Sequence, residues 1–289
     1  MEAKYPSLKG ENIVIVGVGG IGGAIAKEFL EQGSRVHAID KKPLEELEKV
    51  WKEFQGPIIP EEYQKPSYGD REKIIYEDSE LFYYKCDVTD YEKYSKLLKE
   101  IGEEYYPIKS LIYTAGIGQA TKIGEMDHRE RDRKIEEYLD KVNVQGFRDA
   151  LNIISNYMKE GSSIIAISSI NAYRPEYDMA AYDSTKAALT QYAISAALRL
   201  GERGIRVNVV APGYVRTPQT IEELKNPETR EIIEKHTVLG RVAEPKDIAP
   251  IVVALTSKDF EFVTGAVIEV SGGLALAQYP PIKKQKQVI

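Results

Sequence analysis

The sequence predicts a doubly wound α/β domain: a parallel sheet with helices on both faces. Short β-branched runs alternate with stretches of helical spacing along the chain. The first such run, Asn12 to Val16, ends directly in glycines, as a buried strand does where it meets a tight turn. The β-α-β order then implies parallel strands joined by right-handed crossovers.

Each element follows from local pattern. Ile21 to Glu31 has helical spacing and stops at Gly33. Arg35 to Ile39 is a second strand ending in Asp40, and Pro43 to Phe54 is a charged amphipathic helix. Gly56 to Ser79 is rich in Pro, Tyr and charge and has little periodicity. Lys73 to Glu77 and Glu80 to Lys85 flank Asp78-Ser79 as two strands around a tight turn. The expectation is a surface insertion at about 56–80 that closes in a hairpin, with a plain loop as the alternative. Tyr91 to Tyr105 is helical, and Ser110 to Tyr113 is a strand ending at Ala115-Gly116. A charged stretch, Glu125 to Lys141, leads into a helix that carries Asn143 and runs to about Met158. Strand Ser163 to Ile167, helix Tyr182 to Arg203 and strand Arg206 to Val210 follow, before Pro212-Gly213 breaks the chain. Thr217 to His236 is a polar segment, Pro245 to Thr256 a helix and Ala266 to Val270 a last strand. Repeats and linkers are absent from the pattern. The chain is therefore expected to form one domain over residues 1–289, with a C-terminal tail at 274–289.

Composition bounds the function. The net charge is −6 with no long basic block, which argues against nucleic acid as a partner. The single cysteine, Cys86, leaves no internal disulfide to form, as suits a reducing interior. Met1 to Glu11 is polar and lacks the apolar core of a signal peptide. No apolar run reaches the roughly 18 residues of a membrane span. The expected location is the cytoplasm, the expected partner a small-molecule substrate, and no metal site is expected.

Gly17-Val18-Gly19-Gly20-Ile21-Gly22 fits G-x-G-x-x-G directly after a strand and before a helix, the context a dinucleotide site requires. Gly17 allows the turn, Gly19 admits a pyrophosphate close to backbone, and Gly22 lets helix pack on strand. The helix N-terminus then faces the phosphates. Asp40 stands where an acid bonds the adenosine ribose and would repel a 2′-phosphate, so NAD is favoured over NADP, although Lys41 or Lys42 could reach a phosphate. Asp87, with Val88 and Thr89 after it, is placed to hold the adenine amino group; capping of the next helix by Thr89 or Asp90 is the competing reading. A glycine turn plus an acid also describes S-adenosylmethionine-dependent methyltransferases.

The second half of the chain separates the two. Tyr182 and Lys186 lie one helical turn apart and share a helix face, and Ser169 ends the preceding strand region. An ammonium near the phenol would lower its ordinary pKa of about 10 and fit it for proton transfer near neutral pH. The spacing alone proves little, since Tyr5–Lys9, Tyr105–Lys109 and Tyr279–Lys283 share it.

Together these residues resemble the short-chain dehydrogenase/reductase family in its common single-domain form, from Asn12 to Gly273. The resemblance implies a Rossmann-type fold, a nicotinamide cofactor and a catalytic set of Asn143, Ser169, Tyr182 and Lys186. Tyr182 would be the general base in oxidation, Ser169 would hold the substrate oxygen, and Asn143 would position a water that relays protons to Lys186. Lys186 would also bind the nicotinamide ribose, beside Tyr182. Pro212-Gly213-Tyr214-Val215-Arg216-Thr217 looks like the segment that wraps the nicotinamide end, with Val215 meeting the carboxamide through backbone and Thr217 meeting it or the phosphates. Asn208 precedes it as in the family, and Ala115-Gly116 follows the strand that closes on the cofactor.

The chain departs from the family pattern in places. Its glycine loop is one residue shorter than usual, a form shared with insect-type alcohol dehydrogenases. The usual Asn-Asn-Ala-Gly is Tyr113-Thr114-Ala115-Gly116, which removes a sheet-bracing amide. The 56–80 excursion and the tail are extra length. The substrate pocket is expected to draw on Ser169, Ile170, Asn171, Tyr177, Tyr214 and parts of Thr217 to His236, which suits a small alcohol, a sugar or a cyclic alcohol. A 3-oxoacyl thioester reductase using NADPH is the enzymatic alternative, and a non-catalytic dinucleotide-binding protein the alternative of another class. The resemblance implies a homotetramer or homodimer, with the Asn143 and Tyr182 helices at the interfaces; the alanines from Ala187 to Ala197 would equally suit packing inside one chain.

Overall fold

The computed structural model describes residues 4–60, 71–118, 128–177, 179–274 and 276. Five strands come out where the pattern puts them: β1 (Asn12–Val16), β2 (Arg35–Asp40), β4 (Glu80–Lys85), β5 (Ile108–Tyr113) and β6 (Ser163–Ile167). Two more are β7 (Arg206–Pro212) and β8 (Val267–Val270). Pro212 thus ends a strand rather than following one. The edge strand β3 (Arg71–Ile75) pairs antiparallel with β4, the expected hairpin begun two residues early. The remaining pairs are parallel, in the order β3-β4-β2-β1-β5-β6-β7-β8. The direction of winding reverses between β1 and β5, so the crevice outside their carboxyl ends is where a ligand belongs.

Both faces of the sheet are covered. Alternate residues of β1 point to opposite sides: Ile13 and Ile15 join one core, Val14 and Val16 the other, and all are fully buried. The first core is closed by α1 (Gly20–Glu31), α2 (Leu44–Phe54) and α9 (Pro245–Thr256) through Phe29, Trp51 and Val252. The second is closed by α3 (Tyr91–Glu104), α5 (Gly146–Ile154) and α6 (Ala180–Gly201) through Leu98, Phe147 and Leu189. Ala193, Ala196 and Ala197 of α6 are spent on this second core.

The long helix expected around Asn143 is broken. After α4 (His128–Asp140) the chain makes a wide π turn, Lys141–Gln145, before α5 begins. Such turns insert an extra residue into a helix and cluster at functional sites. The polar segment after Pro212 contains α7 (Ile221–Leu224) and α8 (Pro227–His236). Asn226 caps α8 by accepting from the Glu228 and Thr229 amides, with Pro227 in the first turn. Of the 56–80 insertion, residues 61–70 lie outside the described residues, as do 275 and 277–289 of the tail. Among the described residues no helix is long and apolar enough to cross a membrane.

Candidate active site

Two cavities open at the carboxyl ends of the strands. The first, of about 310 Å³, is walled by Gly17, Gly19, Gly20, Asp40 and Gly116 among others. Ile21, Gly22, Asp87, Val88, Ala115 and Thr217 complete the predicted cofactor residues found there. A Cβ added at Gly22 would run into the Gly17 carbonyl and the Thr114 hydroxyl, so helix and loop touch through that missing side chain. A Cβ at Gly19 would meet nothing within 4 Å; the space beside its backbone is open. Helix α1 has no side-chain cap and no acid in its first turn. Its amide end is left for an anion, and the residues present fit a dinucleotide.

The short glycine loop is braced from below. Trp51 donates from Nε1 to the Val18 carbonyl at 2.6 Å, and its ring lies against Gly23. Asp40 accepts from the Val18 amide at 2.9 Å and the Lys42 amide at 3.1 Å. Burial raises the Asp40 pKa, and those two amides oppose the rise. Lys41 donates to the Tyr138 hydroxyl at 3.1 Å. Asp87 accepts from both the amide and the hydroxyl of Thr89, while Asp90 caps α3 by accepting from the Lys93 amide. The capping reading therefore holds for Asp90.

The lost amides after β5 are replaced by hydroxyls. Thr114 donates to the Gly17 carbonyl, and Tyr113 donates to Val142 in the π turn at 2.5 Å. Asn143, fully buried, accepts from the Ile117 amide at 2.9 Å and donates to the Ile117 carbonyl at 3.1 Å and the Thr185 hydroxyl at 3.0 Å. The π turn, the loop after β5 and α6 are thereby tied at one point.

The second cavity, of about 820 Å³, holds Ser169, Tyr182, Asn171 and Tyr214, together with Gly213 and Val215. Gln219 lines both cavities and packs on Gly118 between them. Pro212 and Lys186 line neither wall; Pro212 is buried at the end of β7. Tyr177, expected in the pocket, is 98% exposed and outside the cavity. It sits on the turn before α6. The Val215 carbonyl accepts from the Thr220 hydroxyl at 2.6 Å, which fixes the strap that follows β7. Glu223, Ile232 and His236 come from the expected Thr217 to His236 segment, whereas sequence pattern does not single out Arg174, Glu176 and Met179 on the same wall.

Ser169, Tyr182 and Lys186 do converge. Lys186 Nζ lies 5.7 Å from the Tyr182 ring centroid and donates to the Ile167 carbonyl at 3.1 Å. The expected lowering of the Tyr182 pKa is not what these groups produce on their own. Burial pushes the phenol up to about 12; a hydrogen bond with Ser169 lowers it, and Asp183 and Glu176 raise it. Burial also brings Lys186 down to about 8. Below pH 8 the folded chain thus carries a buried ammonium. From pH 8 to 10.5 the unfolded chain binds more protons, so stability rises with pH across that window. Lys186→Met should flatten this rise, read as thermal midpoint against pH.

A family model described as Enoyl-(Acyl carrier protein) reductase matches residues 17–275. The chain is 28% identical to a 3-oxoacyl-acyl-carrier-protein reductase of Thermotoga maritima, covering 93% of this chain and 99% of that one. It is 30% identical to an NADP-dependent (R)-specific alcohol dehydrogenase of Lentilactobacillus kefiri, covering 92% and 97%. A solved glucose/ribitol dehydrogenase from Brucella melitensis superposes with a TM-score of 0.75 at 28% identity, covering 95% of this chain and all of that one.

Proposed function

The chain belongs to the short-chain dehydrogenase/reductase family, and from that premise we propose an NAD-dependent dehydrogenase that interconverts a secondary alcohol and its ketone. The family carries NAD(P)-dependent oxidoreduction at CH–OH groups. One observation supports the dehydrogenase reading. Ser169 and Tyr182 line a cavity that shares Gln219 with the cavity of the glycine loop.

In this reading Gly17, Gly19, Gly20, Ile21 and Gly22 hold the pyrophosphate, and Asp40 holds the adenosine ribose. Asp87 and Val88 flank the adenine, and Ala115 and Gly116 lie beneath the cofactor. Lys186 and Tyr182 bind the nicotinamide ribose, with Pro212, Gly213, Val215 and Thr217 wrapping the nicotinamide end. The cofactor supplies the hydride acceptor in oxidation and the donor in reduction. Tyr182 Oη takes the proton of the substrate hydroxyl or returns it to a carbonyl oxygen. Ser169 donates to that oxygen, and Asn143 keeps the proton route to Lys186 in place. Asn171 and Tyr214 present polar atoms to the rest of the substrate, as a small polyol or cyclic alcohol needs. Tyr177 is not part of this proposal. A single domain, assembled as a homotetramer or homodimer in the cytoplasm, completes it.

NAD is favoured in this reading because Asp40 lines the first cavity, where it would accept from ribose hydroxyls, and Lys41 is drawn to Tyr138. The second reading, an NADPH-dependent 3-oxoacyl thioester reductase, is favoured by the Thermotoga relative and by Lys42 on the same wall. Side-by-side titration with NAD⁺ and NADP⁺ separates them. Asp40→Ala should lose at least about tenfold in NAD⁺ affinity, the order of one lost charged hydrogen bond, and gain on NADP⁺. NADP⁺ preference in the unaltered chain would move the reductase ahead. A panel of cyclohexanol, D-glucose and L-rhamnose then tests the substrate side.

A further inference from the structure

Asp183 follows Tyr182 directly and is only 7% exposed. The bland role for an acid in the first turn of a helix is to meet the helix's own amides. Asp183 does something else: both of its oxygens are committed to the chain on the other side of the cavity wall. Oδ1 accepts from Asn171 Nδ2 at 2.8 Å, and Oδ2 accepts from the Glu176 amide at 3.0 Å. Asn171 Nδ2 also donates to Glu176 Oε2 at 3.2 Å. An amide nitrogen held between two carboxylates cannot be exchanged for its oxygen without placing three acceptors together. The orientation of Asn171 is therefore fixed by charge, and Oδ1 must face away from Asp183.

Oδ1 faces Ser169. The serine hydroxyl donates to Asn171 Oδ1 at 3.2 Å and accepts from the Asn171 amide at 3.2 Å. These two contacts hold Oγ together with its hydrogen bond to Tyr182. Its proton has Asn171 and Tyr182 as partners until a substrate oxygen enters the cavity. A flipped Asn171 would aim Nδ2 at Ser169 instead, take up an Oγ lone pair and leave the serine proton only Tyr182 as a resting partner.

We propose that Asp183 is a positioning residue for Ser169, acting through the orientation of Asn171. This rests on the reading of Ser169 as the group that holds the substrate oxygen. Replacing Asp183 by Asn removes one acceptor and introduces a donor among donors. Asn171 then keeps only the exposed Glu176 carboxylate to orient it, and Ser169 loses part of its alignment.

The test is a double-mutant cycle, followed with NAD⁺ and whichever of the three panel alcohols is turned over fastest. Ser169→Ala should lower kcat/KM about 10²-fold, as loss of one preorganised donor does. Asp183→Asn should lower it about tenfold, with NAD⁺ binding by titration unchanged. In the Ser169→Ala background the same change should cost less than about twofold, because the residue it acts through is gone. Asp183→Ala, which leaves the Asn171 amide only the Glu176 carboxylate as partner, should repeat the pattern and carries the test if Asp183→Asn fails to fold. A readout free of turnover is the Asn171 side-chain amide pair in nitrogen-edited NMR spectra. It should exchange slowly in the unaltered chain and rapidly in Asp183→Asn. Equal losses in both backgrounds, or an unchanged amide pair, overturn the positioning role alone. Full activity of Ser169→Ala overturns the catalytic reading instead.

Discussion

Tyr182→Phe is expected to lose about 10²–10⁴-fold in kcat while keeping most of its NAD⁺ binding, since Lys186 would still meet the nicotinamide ribose. The change removes one oxygen and leaves the ring, so the packing beneath Lys186 persists and the lost term is proton transfer. The pH dependence carries more information than the loss itself. The phenol stands at about 12 in the chain alone, so at neutral pH Tyr182 holds its proton. In that form it suits the reductive direction, where a carbonyl oxygen must be protonated. Oxidation needs the phenolate, whose fraction rises about tenfold per pH unit below its pKa. Initial oxidative kcat/KM should therefore climb with pH above neutrality, while the reductive value stays flat through the same range. Lys186, at about 8, titrates within that climb, and the two groups must be treated as one coupled pair. In Tyr182→Phe the oxidative climb should vanish. Full turnover in that variant, or a climb that survives it, would remove Tyr182 from the proposed chemistry.

The sequence stops being legible at this same tyrosine. The spacing of Tyr182 and Lys186 and the strand end at Ser169 are one-dimensional facts, and the structure brings these three together as they imply. The sign of the Tyr182 shift is not one-dimensional. It depends on burial by segments far along the chain, and on Asp183 and Glu176, which spacing alone does not place against the phenol. The strands were readable for the same reason in reverse: β1 and β6 are short runs buried on both faces, and any such run declares itself. The π turn was not, because Val142 to Gln145 has ordinary helical composition and the extra residue is forced by contacts. Tyr113 reaches across to the Val142 carbonyl and Asn143 to Ile117, and both partners come from another part of the chain. Tyr177 fails on similar grounds. An aromatic five residues before Tyr182 looks like a pocket wall, but only the path of the turn decides which way it points. In α8 the signal was present in Asn226-Pro227, a cap followed by a first-turn proline, and polarity masked it.

Gly22→Ala is expected to abolish measurable NAD⁺ binding and to lower the thermal midpoint even without ligand. The added methyl has no room: it would overlap the Gly17 carbonyl carbon and oxygen, and the Thr114 hydroxyl would stand 2.5 Å away. Two of those neighbours are backbone, so no rotamer change relieves them, and Thr114 is itself bonded to Gly17. Overpacking of this kind costs typically about 1–3 kcal/mol. Here the strain would be released by lifting the glycine loop off β5, which would displace the α1 amides from the place proposed for the phosphates. Gly19→Ala is the informative partner. Its methyl meets no protein atom within 4 Å, although the backbone at φ −67°, ψ −124° gives an alanine some strain of its own. Its midpoint without ligand should fall less than that of Gly22→Ala. Yet the methyl stands in the space assigned to the pyrophosphate, so the stabilisation that saturating NAD⁺ gives the unaltered chain should disappear. If Gly19→Ala keeps that stabilisation, the pyrophosphate does not lie over Gly19. If Gly22→Ala keeps it, the loop closes on β5 less tightly than its missing side chain implies.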